Sequence, residues 1–224
     1  MAEYHPLSYE KGHLLLHTGE KRWLLDTGAP QSFGRERRIE LDGAIFSVGE
    51  AFLGLSIAVL ERYLELPCAG LLGADILGRF DFLWDVPGER AVVSRESIPF
   101  EGNAVRLEWV LGVPILAARI ADRQVLCVFD TGAQLSYLSS AELRALFPLV
   151  GTARDFYPSF GAFETEVRRV EIAVGDIVRT LRCGALPPEL EYLLAITGCE
   201  GILGAELISD RRTAYLPRRS RLVL

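Results

Sequence analysis

The chain contains one unit twice, and that constrains its fold more than any other feature. Leu24-Leu25-Asp26-Thr27-Gly28-Ala29 recurs 104 residues later as Val128-Phe129-Asp130-Thr131-Gly132-Ala133, and Ser32-Phe33 is matched by Ser136-Tyr137. Two further blocks recur at an offset of 131. Cys68-Ala69-Gly70-Leu71-Leu72-Gly73-Ala74-Asp75 matches Cys199-Glu200-Gly201-Ile202-Leu203-Gly204-Ala205-Glu206, and Arg37-Arg38-Ile39-Glu40-Leu41 matches Arg168-Arg169-Val170-Glu171-Ile172. From there the copies align without a gap until Val93 meets Leu224. The second copy therefore carries 27 extra residues between its Asp-Thr-Gly and its Arg-Arg-Val-Glu. A duplicated unit of about 100 residues implies two similar lobes about a pseudo-twofold axis, here 1–98 and 99–224.

Local patterns in each copy are strand-like. His13–His17 and Arg22–Asp26 flank a Thr18-Gly19 turn, and Ile39–Leu41 and Ala44–Val48 flank Asp42-Gly43; both read as hairpins. Leu55–Leu60, Phe82–Trp84 and Arg90–Ser94 are apolar runs of strand length. No strand is expected before His13. Helix signals are few: Asp75–Phe80 after Gly73, and a Ser139-Ser140-Ala141-Glu142 capping box whose helix Pro148 would stop. Ser97–Asn103, with Pro99 and Gly102, reads as the passage between lobes. The expected class is all-β, bilobal and pseudo-twofold, with a cleft between the lobes.

Composition removes most alternatives for function. With 30 acidic and 24 basic residues the net charge is −6, which argues against a nucleic-acid partner. The longest run without a charged residue, Thr131–Ala141, is far too short to span a membrane, and the N-terminus lacks the apolar core of a secretion signal. A cytoplasmic location is expected. The four cysteines include no C-x-x-C pair and read as small buried thiols, and no metal or cofactor site is expected. All three histidines (His5, His13, His17) precede every candidate nucleophile and none has a supporting motif, so histidine-assisted nucleophilic chemistry is not indicated. Any chemistry must run on carboxylates.

A single Asp-Thr-Gly is most simply a tight turn after a strand. Two copies, each following an apolar strand and each leading to Ala-x-x-Ser-aromatic, are different. Duplication would preserve fold-making residues, but an ionised aspartate at the end of a buried strand costs several kcal/mol unless paired. The pairing solution is that Asp26 and Asp130 meet on the twofold axis and share one proton. That supplies a base and an acid together, a behaviour taken over from known carboxylate pairs. Gly28 and Gly132 would allow close backbone approach, and Thr27 and Thr131 could hydrogen-bond across the junction.

The paired Asp-Thr-Gly-Ala motifs resemble those of aspartic proteases of the pepsin and retropepsin superfamily. So does Leu71-Leu72-Gly73-Ala74-Asp75-Ile76-Leu77-Gly78-Arg79-Phe80, ending in Trp84-Asp85 and a Val92-Val93 strand; the likeness is closer to the retropepsin side and covers nearly the whole chain. The resemblance implies that each lobe is one retropepsin-like unit and that the chain is an aspartic endopeptidase. It implies Asp26 and Asp130 as catalytic carboxylates, and Thr27, Gly28, Ala29, Thr131, Gly132 and Ala133 as the active-site loops. The expected partner is a peptide or protein substrate. Because the second copy supplies the twofold partner, a monomer is expected. A catalytically silent peptide-binding or regulatory module is the rival. The hydroxyl residue that follows Asp-Thr-Gly in stomach-type enzymes is alanine here, so a less acidic optimum is expected.

The remaining residues have plainer readings. Asp75 and Glu206 suit helix N-termini. Asp81 and Asp85 read as surface or turn positions, and Arg211-Arg212 and Arg218-Arg219-Ser220-Arg221 as a solvated strand edge. The insertion, about 138–164, holds the capped helix and then a hairpin with Pro158–Gly161 at its tip, aromatic residues on both arms and four aromatics (Phe156, Tyr157, Phe160 and Phe163) within eight residues. A surface loop has little use for that cover, whereas a flap over the cleft has. Tyr157, Phe160, Gly161 and Phe163 are the expected flap residues, and the first lobe, with eleven residues from Asp26 to Arg37, is expected to have no flap.

Overall fold

A computed structural model describes residues 2–158 and 160–224, so Met1 and Ser159, which falls within the expected hairpin tip, lie outside the described residues. Strands take 51% of the chain and helices 15%, in agreement with an all-β class. The first copy begins with β1 (Glu3–Glu10), β2 (His13–Thr18), β3 (Lys21–Leu25) and β4 (Phe33–Gly34). Two small hairpins follow, β5 (Arg38–Leu41) with β6 (Ala44–Ser47) and β7 (Ala51–Phe52) with β8 (Leu55–Ser56). The copy ends with α1 (Ile57–Leu64), β9 (Gly70–Leu72), α2 (Ala74–Leu77), β10 (Asp81–Asp85) and β11 (Arg90–Ser94).

The second copy opens with β12 (Ala104–Arg106), β13 (Glu108–Val110), β14 (Val113–Ile120), β15 (Arg123–Phe129) and β16 (Ser136–Leu138). Its insertion adds α3 (Ala141–Ala145), β17 (Leu149–Tyr157) and the outer half of β18 (Gly161–Val174). Then come β19 (Ile177–Gly184), α4 (Pro188–Ile196), β20 (Gly201–Leu203), β21 (Arg212–Leu216) and β22 (Arg221–Val223). No helix among the described residues is long and apolar enough to cross a membrane.

Two large sheets carry the repeat. One has the order β12-β22-β21-β10-β11-β1-β2-β3-β9-β4, the other β13-β14-β15-β20-β16-β19-β18-β17. In each, a hairpin leads into an apolar strand that pairs in parallel with the Leu-Gly block. Leu24 lies opposite Leu71 and Leu25 opposite Leu72, and in the second copy Val128 faces Ile202 and Phe129 faces Leu203. The identical register means that both Asp-Thr-Gly loops leave their sheets at the same point.

The halves are not independent. The C-terminal strand β22 joins a sheet with first-copy strands, through β21, which pairs with β10 (Phe82 opposite Tyr215). One continuous core contains Trp23, Phe82 and Trp84 of the first copy with Phe129 and Tyr215 of the second, and Trp84 stacks on Tyr215 at 5.2 Å. The 98/99 division marks the repeat in sequence, while three strands of the second copy complete the first sheet.

Several local expectations change. β1 is a full strand: Glu3–Pro6 pairs with β11 and Leu7–Glu10 with β2, so Pro6 falls at the exchange of partners. The run expected as a strand at Leu55–Leu60 becomes α1, because Ile57, Leu60 and Leu64 bury one helical face and Glu65 ends it in a left-handed conformation (φ 52°). Truncating fully buried Leu60 to alanine would cost about 2–5 kcal/mol. The capping residue of α3 is Ser140 rather than Ser139, its Oγ accepting the Leu143 N–H at 3.1 Å.

The outlying acids are not on the surface. Asp81 is fully buried between Arg218 (3.2 Å) and Arg219 (2.7 Å), and Asp85 is buried against Arg90 (3.0 Å). Arg218 and Arg219, with Arg212 at 3.6 Å from Asp85, thus answer buried carboxylates instead of forming a solvated edge, since such a carboxylate must be paired. All four cysteines are buried and unpaired.

Candidate active site

The sheet register delivers the two aspartates. The Asp26 N–H donates to the Leu72 carbonyl at 3.0 Å and the Asp130 N–H to the Leu203 carbonyl at 2.9 Å. Each chain then turns back on its own carboxylate: the Ala29 N–H donates to Asp26 Oδ1 at 2.8 Å, and the Gly132 N–H to Asp130 Oδ1 at 2.9 Å. Asp75 braces the first loop, Oδ1 accepting both the N–H (3.0 Å) and the hydroxyl (2.6 Å) of Ser32, a role beyond helix capping.

Between the loops lie Thr27 and Thr131, both fully buried. Thr27 Oγ1 accepts the Thr131 N–H at 3.0 Å and donates to the Phe129 carbonyl at 2.6 Å. Thr131 Oγ1 accepts the Thr27 N–H at 3.1 Å and donates to the Leu25 carbonyl at 2.8 Å. These four bonds cross between the loops and the strands that lead into them, so both hydroxyls and both threonine N–H groups are satisfied.

The glycines set the spacing of the carboxyl groups. A Cβ on Gly132 would lie 2.3 Å from Asp26 Cγ, and one on Gly28 would lie 2.4 Å from Asp130 Cγ, so each loop backbone rests on the opposite carboxyl group. No other residue fits there. Both aspartates keep partial access to solvent while lining one cavity. Asp26 has its pKa pushed well above the ordinary 3.8, first by loss of hydration and then by the charge and hydrogen bond of Asp130. The pKa of Asp130 also rises through burial, opposed by its hydrogen bond with Asp26 and by backbone N–H groups. The pair gives up its first proton less readily than two separate aspartates would, and the titration belongs to the pair rather than to either residue.

The cavity measures about 280 Å³, at the small end of ligand sites, which suits a few side chains rather than a large cofactor. Its walls repeat the duplication: Phe33, Leu55 and Leu71 face it from the first copy, Tyr137, Leu186 and Ile202 from the second. The β17–β18 hairpin adds Asp155, Phe156, Tyr157, Pro158 and Phe163. Of the expected flap residues, Tyr157 and Phe163 line this cavity; Phe160 instead lines a separate hollow with Arg144 and Pro188, and Gly161 lines neither. The first copy also reaches the cavity, through Phe52 and Leu53 at the turn between the two-residue strands β7 and β8, so cover comes from a short lip there as well.

Three contacts went unread in the sequence. Phe156 stacks on Tyr63 of α1 at 4.2 Å and 7°, carrying the hairpin from the second copy onto the first. Asp155, nearly buried, accepts the Phe156 N–H at 2.8 Å and the Tyr137 hydroxyl, fixing the base of the hairpin to the strand after the Asp130 loop. Buried His13 hydrogen-bonds the Gly132 carbonyl through Nδ1 at 3.0 Å, and loss of hydration lowers its pKa against the opposing pull of Asp155. Only the Ser-aromatic match of the repeat hinted at Tyr137. The phenol of Tyr157 is held protonated by burial and then by the negative potential of Asp130 and Asp26.

No protein-family model matches the chain, and no curated protein matches its sequence.

Proposed function

We propose that the chain is an aspartic endopeptidase of the pepsin and retropepsin type, with the bilobal fold of that superfamily, acting as a single chain on an extended peptide. The observation that carries the proposal is the reciprocal contact of each Asp-Thr-Gly loop with the opposite carboxylate, in which Gly28 touches Asp130 and Gly132 touches Asp26. In this reading the ionised member of the pair takes a proton from a water held between them, and the protonated member donates to the scissile carbonyl. Attack gives a tetrahedral diol, and proton return to the leaving nitrogen breaks the C–N bond. The Tyr157 phenol, kept protonated, is a donor at the cavity wall, and the apolar walls take flanking side chains.

The test is incubation with a diverse peptide library, comparing the intact chain with Asp26→Asn and Asp130→Asn. Cleavage by the intact chain and by neither variant is expected, with an optimum nearer neutrality than that of stomach enzymes. Peptides bound by all three proteins and cut by none would favour the silent binding module instead.

A further inference from the structure

Beside the hairpin lies a second cavity of about 500 Å³, whose charged lining is Lys11, Arg62 and Arg154 with Glu65 and Asp155, and whose walls include His13, Tyr63, Gln134 and Phe156. Asp155 and Phe156 line the catalytic cavity too, so the second space opens directly beside the first. Its charge runs against that of the whole chain, which is −6. Lys11 is matched by Glu65 at 2.8 Å, and the Asp155 carboxylate is occupied by the Tyr137 hydroxyl and the Phe156 N–H. Among the described residues, neither Arg62 nor Arg154 has an acidic partner. Three cationic side chains thus face two carboxylates, an excess of one positive charge, and both guanidinium groups are without an ion-pair partner.

An aromatic ring supports the Arg62 side chain, and the backbone of Arg154 is anchored. The Arg62 guanidinium lies 5.6 Å from the centre of the Tyr63 ring, which itself stacks on Phe156 of the hairpin. Arg154 stands on β17, the outermost strand of its sheet, and its carbonyl accepts from Gln134 Nε2 at 3.1 Å, which ties that edge to the Asp130 loop. The duplication sharpens the contrast. The β1–β2 turn presents Lys11-Gly12 (φ 49° and 86°), and the corresponding β13–β14 turn presents Leu111-Gly112 (φ 52° and 84°). Leu111 lines the catalytic cavity, whereas Lys11 lines the basic one. One backbone shape therefore carries apolar chemistry at one site and cationic chemistry at the other.

We propose that this second cavity is a subsite for a carboxylate of the substrate, held by Arg62 and Arg154, so that the preferred peptide carries an acidic group on one side of its scissile bond. The proposal rests on the peptidase reading above. The carboxylate is either a Glu or Asp side chain or a free C-terminus. His13 is engaged with the Gly132 carbonyl and Lys11 is already matched by Glu65, so the two arginines carry the selectivity.

The experiment takes one cleaved peptide and places Glu, Gln or Lys at each position flanking the scissile bond, with free and with amidated C-termini. Cleavage is measured with the intact chain, and affinity by fluorescence anisotropy with Asp130→Asn. Glu should be preferred over Gln by about fivefold to tenfold on one side only, the sum of two exposed ion pairs, and less in high salt. Arg62→Gln with Arg154→Gln should abolish the preference, and Arg62→Glu with Arg154→Glu should transfer it to Lys. Both residues are exposed, so unchanged melting temperatures are the control for folding. Discrimination lost on amidation assigns the carboxylate to the C-terminus; discrimination kept assigns it to the side chain. Cleavage with equal rates and affinities for Glu, Gln and Lys at every position overturns the subsite and leaves the peptidase standing. Charge-dependent binding without cleavage, using a library peptide that binds, upholds the subsite and removes the peptidase. If no peptide binds or is cut, both fail.

Discussion

Replacing Thr131 with valine keeps the shape of the side chain and removes only its hydrogen-bonding atom. Two bonds go: the one accepted from the Thr27 N–H (3.1 Å) and the one donated to the Leu25 carbonyl (2.8 Å). Both stranded partners are main-chain groups at a fully buried junction, with no route to water while the fold stays closed. An unpaired buried group costs about 1–3 kcal/mol, so the pair should cost about 2–6 kcal/mol. Thr131→Ser keeps the hydroxyl and loses one methyl group, about 1 kcal/mol. Urea unfolding of the three proteins should therefore place valine well below serine. At 2–4 °C per kcal/mol for a chain of this size, melting should fall by about 4–24 °C for valine. Because the core is continuous across both copies, one transition with an unchanged m-value is expected. Adding Thr27→Val should cost less than the two single changes summed, since an opened junction admits water to the remaining bonds. A valine variant within 1 kcal/mol of the original, or equal to serine, would refute the claim that these bonds hold the loops together.

Asp26→Asn and Asp130→Asn should each remove peptide cleavage, because neither carboxyl group can make both proton transfers, and substantial turnover by either would end the shared-proton mechanism. Their stability has a definite pH signature. A carboxyl group whose folded pKa is raised favours the folded state below its ordinary 3.8 and loses that contribution as pH rises through the raised value. The intact chain should thus lose stability relative to Asp26→Asn as pH climbs above about 4, and a difference independent of pH in urea titrations would contradict the assignment. Gly132→Ala forces its Cβ to within 2.3 Å of Asp26 Cγ unless the loops part, so a loss of about 1–3 kcal/mol together with any peptidase activity is expected. Wild-type melting and cleavage would show the loops to be farther apart. Phe156→Ala removes the stacking on Tyr63, and amide exchange in residues 157–163 should accelerate while the core strands are unaffected; unchanged exchange would mean that the stack does not hold the hairpin.

The duplicated Asp-Thr-Gly could be read from sequence because a repeat converts a local pattern into a spatial one. If two copies share a register, Asp26 and Asp130 must leave their sheets at equivalent points, and the turns at Gly19 and Asp42-Gly43 follow from backbone chemistry alone. Leu55–Leu60 was ambiguous for the opposite reason, since a short apolar run fits a strand and a buried helix face equally well, and only packing of Ile57, Leu60 and Leu64 chose the helix. Asp81 meets Arg218 across 137 positions, and His13 meets Gly132 across 119. No periodicity links such residues, because burial and not sequence proximity obliges each polar group to find a partner. The same holds for Asp155 with Tyr137 and for the two arginines beside the hairpin. Sequence alone determined which carboxylates could form a pair; the path of the chain through two sheets decided what surrounds them, because contacts between distant residues arise only when the core closes.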